Sequence, residues 1–278
     1  MEHTHKFLYS TFLHIIPFLT ISIIFFSCEE NDYVFEEFTP LDDYASCIQT
    51  QEDDSIFQRA LTACSNSINY GKSVGVFGGS LSRAIESQVA KSFWRNYLKM
   101  EIFDYGMGGN GFATPSANIQ QQVNKAKIHD IYILWASTND IQENIPIGET
   151  TDYTISDNFD SSKLSTQCGG INYCIKHLRE LNPKSTIYLF TSLKHYSKPS
   201  GYERTIKNKY TLFDYVQKQI ECATMQDIEY FDQWMAQDGR ITKKNWKTYY
   251  QYDGFHLKAL GYLDIGIRQL LFLAQEEE

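Results

Sequence analysis

Five short runs rich in β-branched and aromatic residues punctuate this chain: Val74–Phe77, Ile102–Tyr105, Ile131–Trp135, Ile187–Thr191 and Ile228–Phe231. Near-continuous apolar runs of this length suit strands buried on both faces. Between them, apolar residues recur every three or four positions at Ala84–Lys99, Ile119–Ala126, Gly169–Leu181 and Lys207–Cys222, and a last such segment runs from about Leu257 to Gln275. That spacing predicts amphipathic helices, and Pro183, just after Leu181-Asn182, stops the third of them. A further helix is expected around Ile56–Ile68, ahead of the first strand. Strands alternating with helices predict a parallel sheet covered on both faces, a three-layer α/β/α sandwich. Only one such series is visible in the 278 residues, so one domain is expected from residue 71 onward.

The polar residues that carry chemistry fall where these strands end. Gly78-Gly79-Ser80 closes the first run and a helical pattern follows, which sets Ser80 on a tight turn at the carboxyl end of a strand. Open α/β sheets bind their ligands there. After the second run comes Asp104-Tyr105-Gly106-Met107-Gly108-Gly109-Asn110-Gly111, whose glycines let a backbone N–H approach a substrate closely. The third run ends in Ser137-Thr138-Asn139-Asp140, where an asparagine amide can face a developing oxyanion. Much later, Asp253-Gly254-Phe255-His256 puts an aspartate three residues before a histidine, so one loop can deliver a base with its orienting carboxylate. Taken singly, each block is an ordinary turn, cap or helix start. Their order at successive strand ends is what points to a site.

These four blocks resemble, in order, the serine, glycine, asparagine and histidine blocks of the SGNH hydrolases, also called GDSL esterases and lipases. The resemblance spans roughly residues 71–278 and implies a flavodoxin-like SGNH hydrolase fold and a serine esterase activity. It implies Ser80 as nucleophile, His256 as base and Asp253 as its orienter. The oxyanion would be held by the N–H of Ser80, by Gly109 (with Gly108 as its nearest rival) and by Asn139. Two residues depart from the family pattern: Gly79 replaces the usual aspartate, and Ser137 stands where glycine is usual. Neither change removes a catalytic atom, although the missing carboxylate beside the nucleophile bears on turnover.

Composition narrows the partners. A formal net charge of −9 argues against nucleic-acid binding, which needs a basic face. No Cys/His spacing resembles a zinc site, and neither metal nor cofactor is expected. At the start of the chain, Lys6 precedes an apolar stretch to Phe26, and Ser27-Cys28 follows. This layout is that of a signal peptide over residues 1–27. It resembles a bacterial lipobox in which Cys28 is lipidated and tethers the protein to a membrane. Glu29-Glu30-Asn31-Asp32 resembles the acidic tag of surface-exported lipoproteins of the Bacteroides group, so an outer-membrane or cell-surface location is expected. Residues 28–70 read as an acidic tether followed by a helical segment. Of the five other cysteines, Cys47–Cys64 and Cys168–Cys174 are pairable by proximity in sequence, and buried free thiols are an equal alternative.

Substrate is less legible. The aromatic run Trp246–Tyr252 leads into Asp253, and Trp246 and Tyr250 are candidates to stack on a sugar. The polar insertion Glu143–Gln167 has too few large apolar residues for a lipase lid. His195, with no carboxylate at a matching offset, is expected at the surface. The expected substrate is a short-chain acyl ester, acetyl above all, on a carbohydrate or another small molecule. An acyltransferase, or a catalytically weak glycan-binding lipoprotein on the same fold, remains open, as do the alcohol partner and the oligomeric state.

Overall fold

The five apolar runs pair side by side, all parallel, in a computed structural model that describes residues 51–153, 161–196 and 210–275. The strands are β1 (Ser73–Gly78), β2 (Glu101–Asp104), β3 (Ile131–Trp135), β4 (Thr186–Phe190) and β5 (Glu229–Phe231). Their order across the sheet is β2-β1-β3-β4-β5. The expected α/β class and parallel sheet are therefore found, with strand limits within a residue or two of those expected. The predicted leader, Cys28, the acidic tag, Cys47, residues 154–160 of the polar insertion and the start of the Lys207 helix lie outside the described residues.

Because successive side chains point to opposite faces, β1, β3 and β4 each feed two cores. Val74, Val76, Ile131, Ile133, Trp135, Tyr188 and Phe190 pack on one face. Phe77, Tyr132, Leu134, Ile187 and Leu189 pack on the other. Three longer helices cover the first face: α1 (Gln51–Cys64), α2 (Ser87–Tyr97) and α5 (Ala259–Leu273). The second is covered by α3 (Gln167–Leu181) and α4 (Leu212–Met225) together with the short helix Ile119–Val123. Side chains fix the starts of α3 and α4. Thr166 accepts the N–H of Gly169 ahead of α3, and Thr211 and Asp214 form a reciprocal capping box ahead of α4.

Two expected elements take a different form. Helix α1 is not a segment apart from the sheet domain: Phe57, Ala60 and Cys64 join the core around Trp94. The chain after it is stitched to the last helix by Ser67 and Asn69, whose side chains both donate to the carbonyl of Leu273. The helix expected over Ala84–Lys99 begins only at Ser87, as α2, and a separate single turn, Ser80–Arg83, precedes it. Ala84 is extended there, and the freed carbonyl of Ser82 is taken by the Ser87 hydroxyl at 2.9 Å and by the Lys91 ammonium.

The strand order places the switch of chain direction between β1 and β3, the crevice where this topology binds ligands. Gly78 is in register with Trp135, so the residues that follow each strand emerge side by side.

A buried histidine at the opposite end of the sheet gives the fold a pH signature. His129 stacks on Phe103, its Nε2 lies 2.9 Å from the Tyr105 hydroxyl, and burial pushes its pKa down to about 4. The folded state thus favours the neutral ring, and the unfolded chain titrates near its ordinary 6.5. This contribution to stability is complete above pH 6.5 and is lost as pH falls through about 4. We expect the melting temperature of the wild type to drop more between pH 7 and pH 4.5 than that of His129→Phe. Equal drops in thermal denaturation would remove His129 as a source of acid lability.

Candidate active site

Ser80 begins the one-turn helix directly after β1, half-buried, with its Oγ 2.8 Å from His256 Nε2. His256 Nδ1 is 2.7 Å from Asp253 Oδ2. The second carboxylate oxygen of Asp253 accepts the backbone N–H groups of His256 at 3.0 Å and Phe255 at 3.1 Å. Burial pushes the Asp253 carboxyl up, but the His256 ring and these two N–H groups together hold it below its usual range. Asp253 is therefore ionised at neutral pH and only accepts. The proton on His256 must then sit on Nδ1, which leaves the Nε2 lone pair to accept the Ser80 hydroxyl. That is the tautomer a general base for Ser80 requires.

The loop carrying both residues is held from beneath. Gln251 donates its N–H to the carbonyl of His256 at 2.8 Å, and Tyr196 donates to the carbonyl of Gly254 at 2.7 Å. Tyr250 is fully buried under the loop, its hydroxyl donating to Gln237 at 2.9 Å. The assignment of Tyr250 to substrate is thereby overturned: a ring with no exposed face cannot stack on a sugar. Trp246 is half-buried, parallel to Tyr196 at 6.2 Å, and part of the packing that supports Tyr250. The exposed aromatic of the run is Tyr252, 93% accessible and adjacent to Asp253. His195 is not at the surface either; its ring is buried and stacks on Phe255, 5.3 Å away at 11°.

The three groups expected to donate to an oxyanion lie on three loops. The N–H of Ser80, at the start of a helical turn, has no acceptor among the described residues, as expected for a first-turn amide. The N–H of Gly109 has none either, and Gly109 is exposed with φ +80, a conformation that disfavours any side chain. A Cβ on Gly108 or Gly109 would meet nothing within 4 Å, so this stretch borders open space. Asn139 follows β3, half-buried, with Nδ2 donating to the Asn110 carbonyl at 3.0 Å and to Ser137 Oγ at 3.1 Å.

Several supporting residues were not visible as such in the sequence. Asp140 accepts the N–H groups of Phe112 at 2.8 Å and Ala113 at 3.0 Å, one on each oxygen, tying the glycine loop to the end of β3. Burial pushes its pKa up to about 6 against the pull of those two bonds. Gln122 holds both the N–H and the carbonyl of Gly78, each at 2.9 Å. Lys91 is completely buried, pairs with Asp104 and donates to the Ser82 carbonyl, while Asp104 also accepts the N–H of Gly106 at 3.0 Å. One ammonium thus bridges the turn that carries Ser80 and the glycine loop. Burial pushes its pKa down and Asp104 opposes that shift. Loss of one partner of such a pair strands the other charge, which is the costly outcome.

The cysteines disagree with one expected pairing. Cys64, Cys168, Cys174 and Cys222 are free and buried, and the thiol of Cys168 faces Cys222 on α4 rather than Cys174 on its own helix. No cluster of three or more His, Cys, Asp or Glu able to hold a metal occurs among the described residues, and none of their helices is long and apolar enough to cross a membrane.

Known structures share this architecture. A protein from Lactobacillus plantarum superposes with a TM-score of 0.60 at 13% identity, covering 74% of this chain and 97% of that one. A protein from Parabacteroides merdae described as a GDSL-like lipase gives 0.52 at 11% identity, covering 75% and 99%. A catalytic mutant of an acetylxylan esterase from Geobacillus stearothermophilus gives 0.51 at 14% identity, covering 76% and 97%. No protein-family model matches the sequence, and no curated protein does. At these identities the likeness shows the fold: this chain has the α/β fold of the GDSL-like, or SGNH, hydrolases.

Proposed function

We propose that the protein is a serine esterase that removes short acyl groups, acetyl above all, from carbohydrate esters. The observation that carries this reading is the unbroken chain of hydrogen bonds from Ser80 through His256 to an ionised Asp253, at 2.8 and 2.7 Å. In the reaction, Ser80 Oγ bonds to the ester carbonyl carbon while His256 Nε2 takes its proton. Asp253 stays ionised and stabilises the imidazolium. The carbonyl oxygen, now negative, receives the N–H groups of Ser80 and Gly109 and one N–H of Asn139. The carbon–oxygen bond to the alcohol then breaks, and the alcohol departs with the proton from His256. Water, deprotonated by the same nitrogen, cleaves the acyl-enzyme and restores Ser80.

The substrate class is supported by the exposed ring of Tyr252, next to Asp253 in the chain, and by the open space around Gly108 and Gly109. An aromatic face can hold a sugar while a small acyl group enters the oxyanion hole, so binding energy remote from the ester positions it. The acetyl-ester activity named for one structural neighbour is in keeping with this. The test compares acetylated xylo-oligosaccharide with p-nitrophenyl esters of graded chain length. We expect acetyl to be preferred and Tyr252→Ala to impair catalysis on the glycan far more than on p-nitrophenyl acetate. A preference for chains of eight carbons or more would refute the carbohydrate reading.

The same reading places the enzyme outside the cytoplasm, tethered through lipid on Cys28, on the strength of the apolar leader ending in Ser27-Cys28 and the acids that follow. Mass spectrometry of the native protein should find an acylated Cys28 as its first residue; an intact Met1 would contradict the tether.

A further inference from the structure

The two residues that depart from the family pattern, Gly79 and Ser137, touch each other. A Cβ built on Gly79 would lie 2.9 Å from the Ser137 Cβ, 2.7 Å from the Asn110 carbonyl oxygen and 2.8 Å from Asn139 Nδ2. All three are well inside the roughly 3.5 Å of a relaxed non-bonded contact, so this arrangement admits no side chain at position 79. The room an aspartate would need beside the nucleophile is filled from the other side, in part by the side chain of Ser137.

That side chain is bonded as well as packed. Ser137 is buried, and its Oγ donates to the Asn110 carbonyl at 2.8 Å. It accepts from Asn139 twice, from Nδ2 at 3.1 Å and from the backbone N–H at 3.3 Å. Asn139 Nδ2 also donates to the same Asn110 carbonyl at 3.0 Å. These lengths close a triangle in which the two oxygens subtend about 55° at Nδ2, far less than the roughly 120° between the two N–H bonds of an amide. A single N–H aimed between the two oxygens serves both as a three-centre bond and leaves the other N–H pointing away from them. The amide is fixed in rotation at the expense of a single hydrogen.

We propose that Ser137 is a positioning residue that clamps the Asn139 amide through the Asn110 carbonyl and keeps its second N–H available to the oxyanion, with Gly79 the accompanying change that makes room for the clamp. This rests on the reading of Asn139 as an oxyanion donor given above. Ser137 acts through Asn139 and does not itself touch substrate.

The test is a pair of double-mutant cycles on the purified protein. In the kinetic cycle, Ser137→Ala should lower kcat on p-nitrophenyl acetate about tenfold, less than the roughly 10²–10³ lost with a whole donor in Asn139→Ala. KM should stay within about twofold, and the double variant should be no slower than Asn139→Ala alone. A double variant slower by a further tenfold or so would overturn the clamp, because Ser137 would then act independently of Asn139. The thermal cycle needs no catalysis. Gly79→Ala should lower the melting temperature more in the wild type than in the Ser137→Gly background, and equal losses would overturn the packing exchange. A wild type that neither hydrolyses esters nor reacts with a serine-directed phosphonate would defeat the esterase reading and the clamp's role with it. An active wild type with independent effects defeats the clamp alone.

Discussion

Ser80→Ala should abolish ester hydrolysis and leave the protein folded. Loss of a triad nucleophile removes the covalent route altogether, an effect on the order of 10⁶ in kcat. The Ser80 hydroxyl bonds to His256 Nε2 and sits half-exposed on a turn, outside both cores. Its removal creates no cavity, and the melting temperature should be that of the wild type. The check is steady-state kinetics beside thermal denaturation. A purified Ser80→Ala protein that turns over at the wild-type rate would end the assignment of Ser80 as nucleophile.

Asp253→Asn should cost about 10⁴ in kcat, the order expected when the base is left in the wrong tautomer. The carboxylate has two separate tasks here. Oδ1 accepts two backbone N–H groups, and Oδ2 accepts from the imidazole. An asparagine has one carbonyl oxygen for both. If that oxygen keeps the two backbone bonds, its NH₂ faces Nδ1 and forces the ring proton onto Nε2, where it blocks the transfer from Ser80. Substrate still meets the same surface, so KM should change by no more than a few-fold. A loss of kcat smaller than about tenfold would show that Asp253 does not set the tautomer.

What the sequence disclosed, and what it hid, follows from the range of the interactions involved. The strands are legible because β1, β3 and β4 are buried on both faces and must be apolar throughout. The hydrogen-bonded set of Ser80, His256 and Asp253 is legible because Ser80 lies next to the end of β1 and Asp253 sits three residues from His256, so both are local signals. The break between Ser80–Arg83 and α2 is invisible to periodicity, since it depends on Ser87 and Lys91 reaching back for the Ser82 carbonyl. The place of α1 in the core likewise depends on contacts with α5, about 200 residues away. The aromatic run at 246–252 shows the same limit from the other side. Composition marks it as aromatic, but only packing decides that Tyr250 points into the core and Tyr252 toward solvent. Asp140 carried a readable hint in the Asn139-Asp140 pair, yet its partners Phe112 and Ala113 lie in a different loop.

Reaction with a fluorophosphonate followed by peptide mass analysis tests the central claim most directly, because the reagent modifies a serine only when a neighbouring base has activated it. Native protein should take up one equivalent on the peptide containing Ser80. Heat-unfolded protein and the Ser80→Ala and His256→Ala variants should take up none. A folded wild type that remains unlabelled, or that is labelled at a serine other than Ser80, would contradict the account.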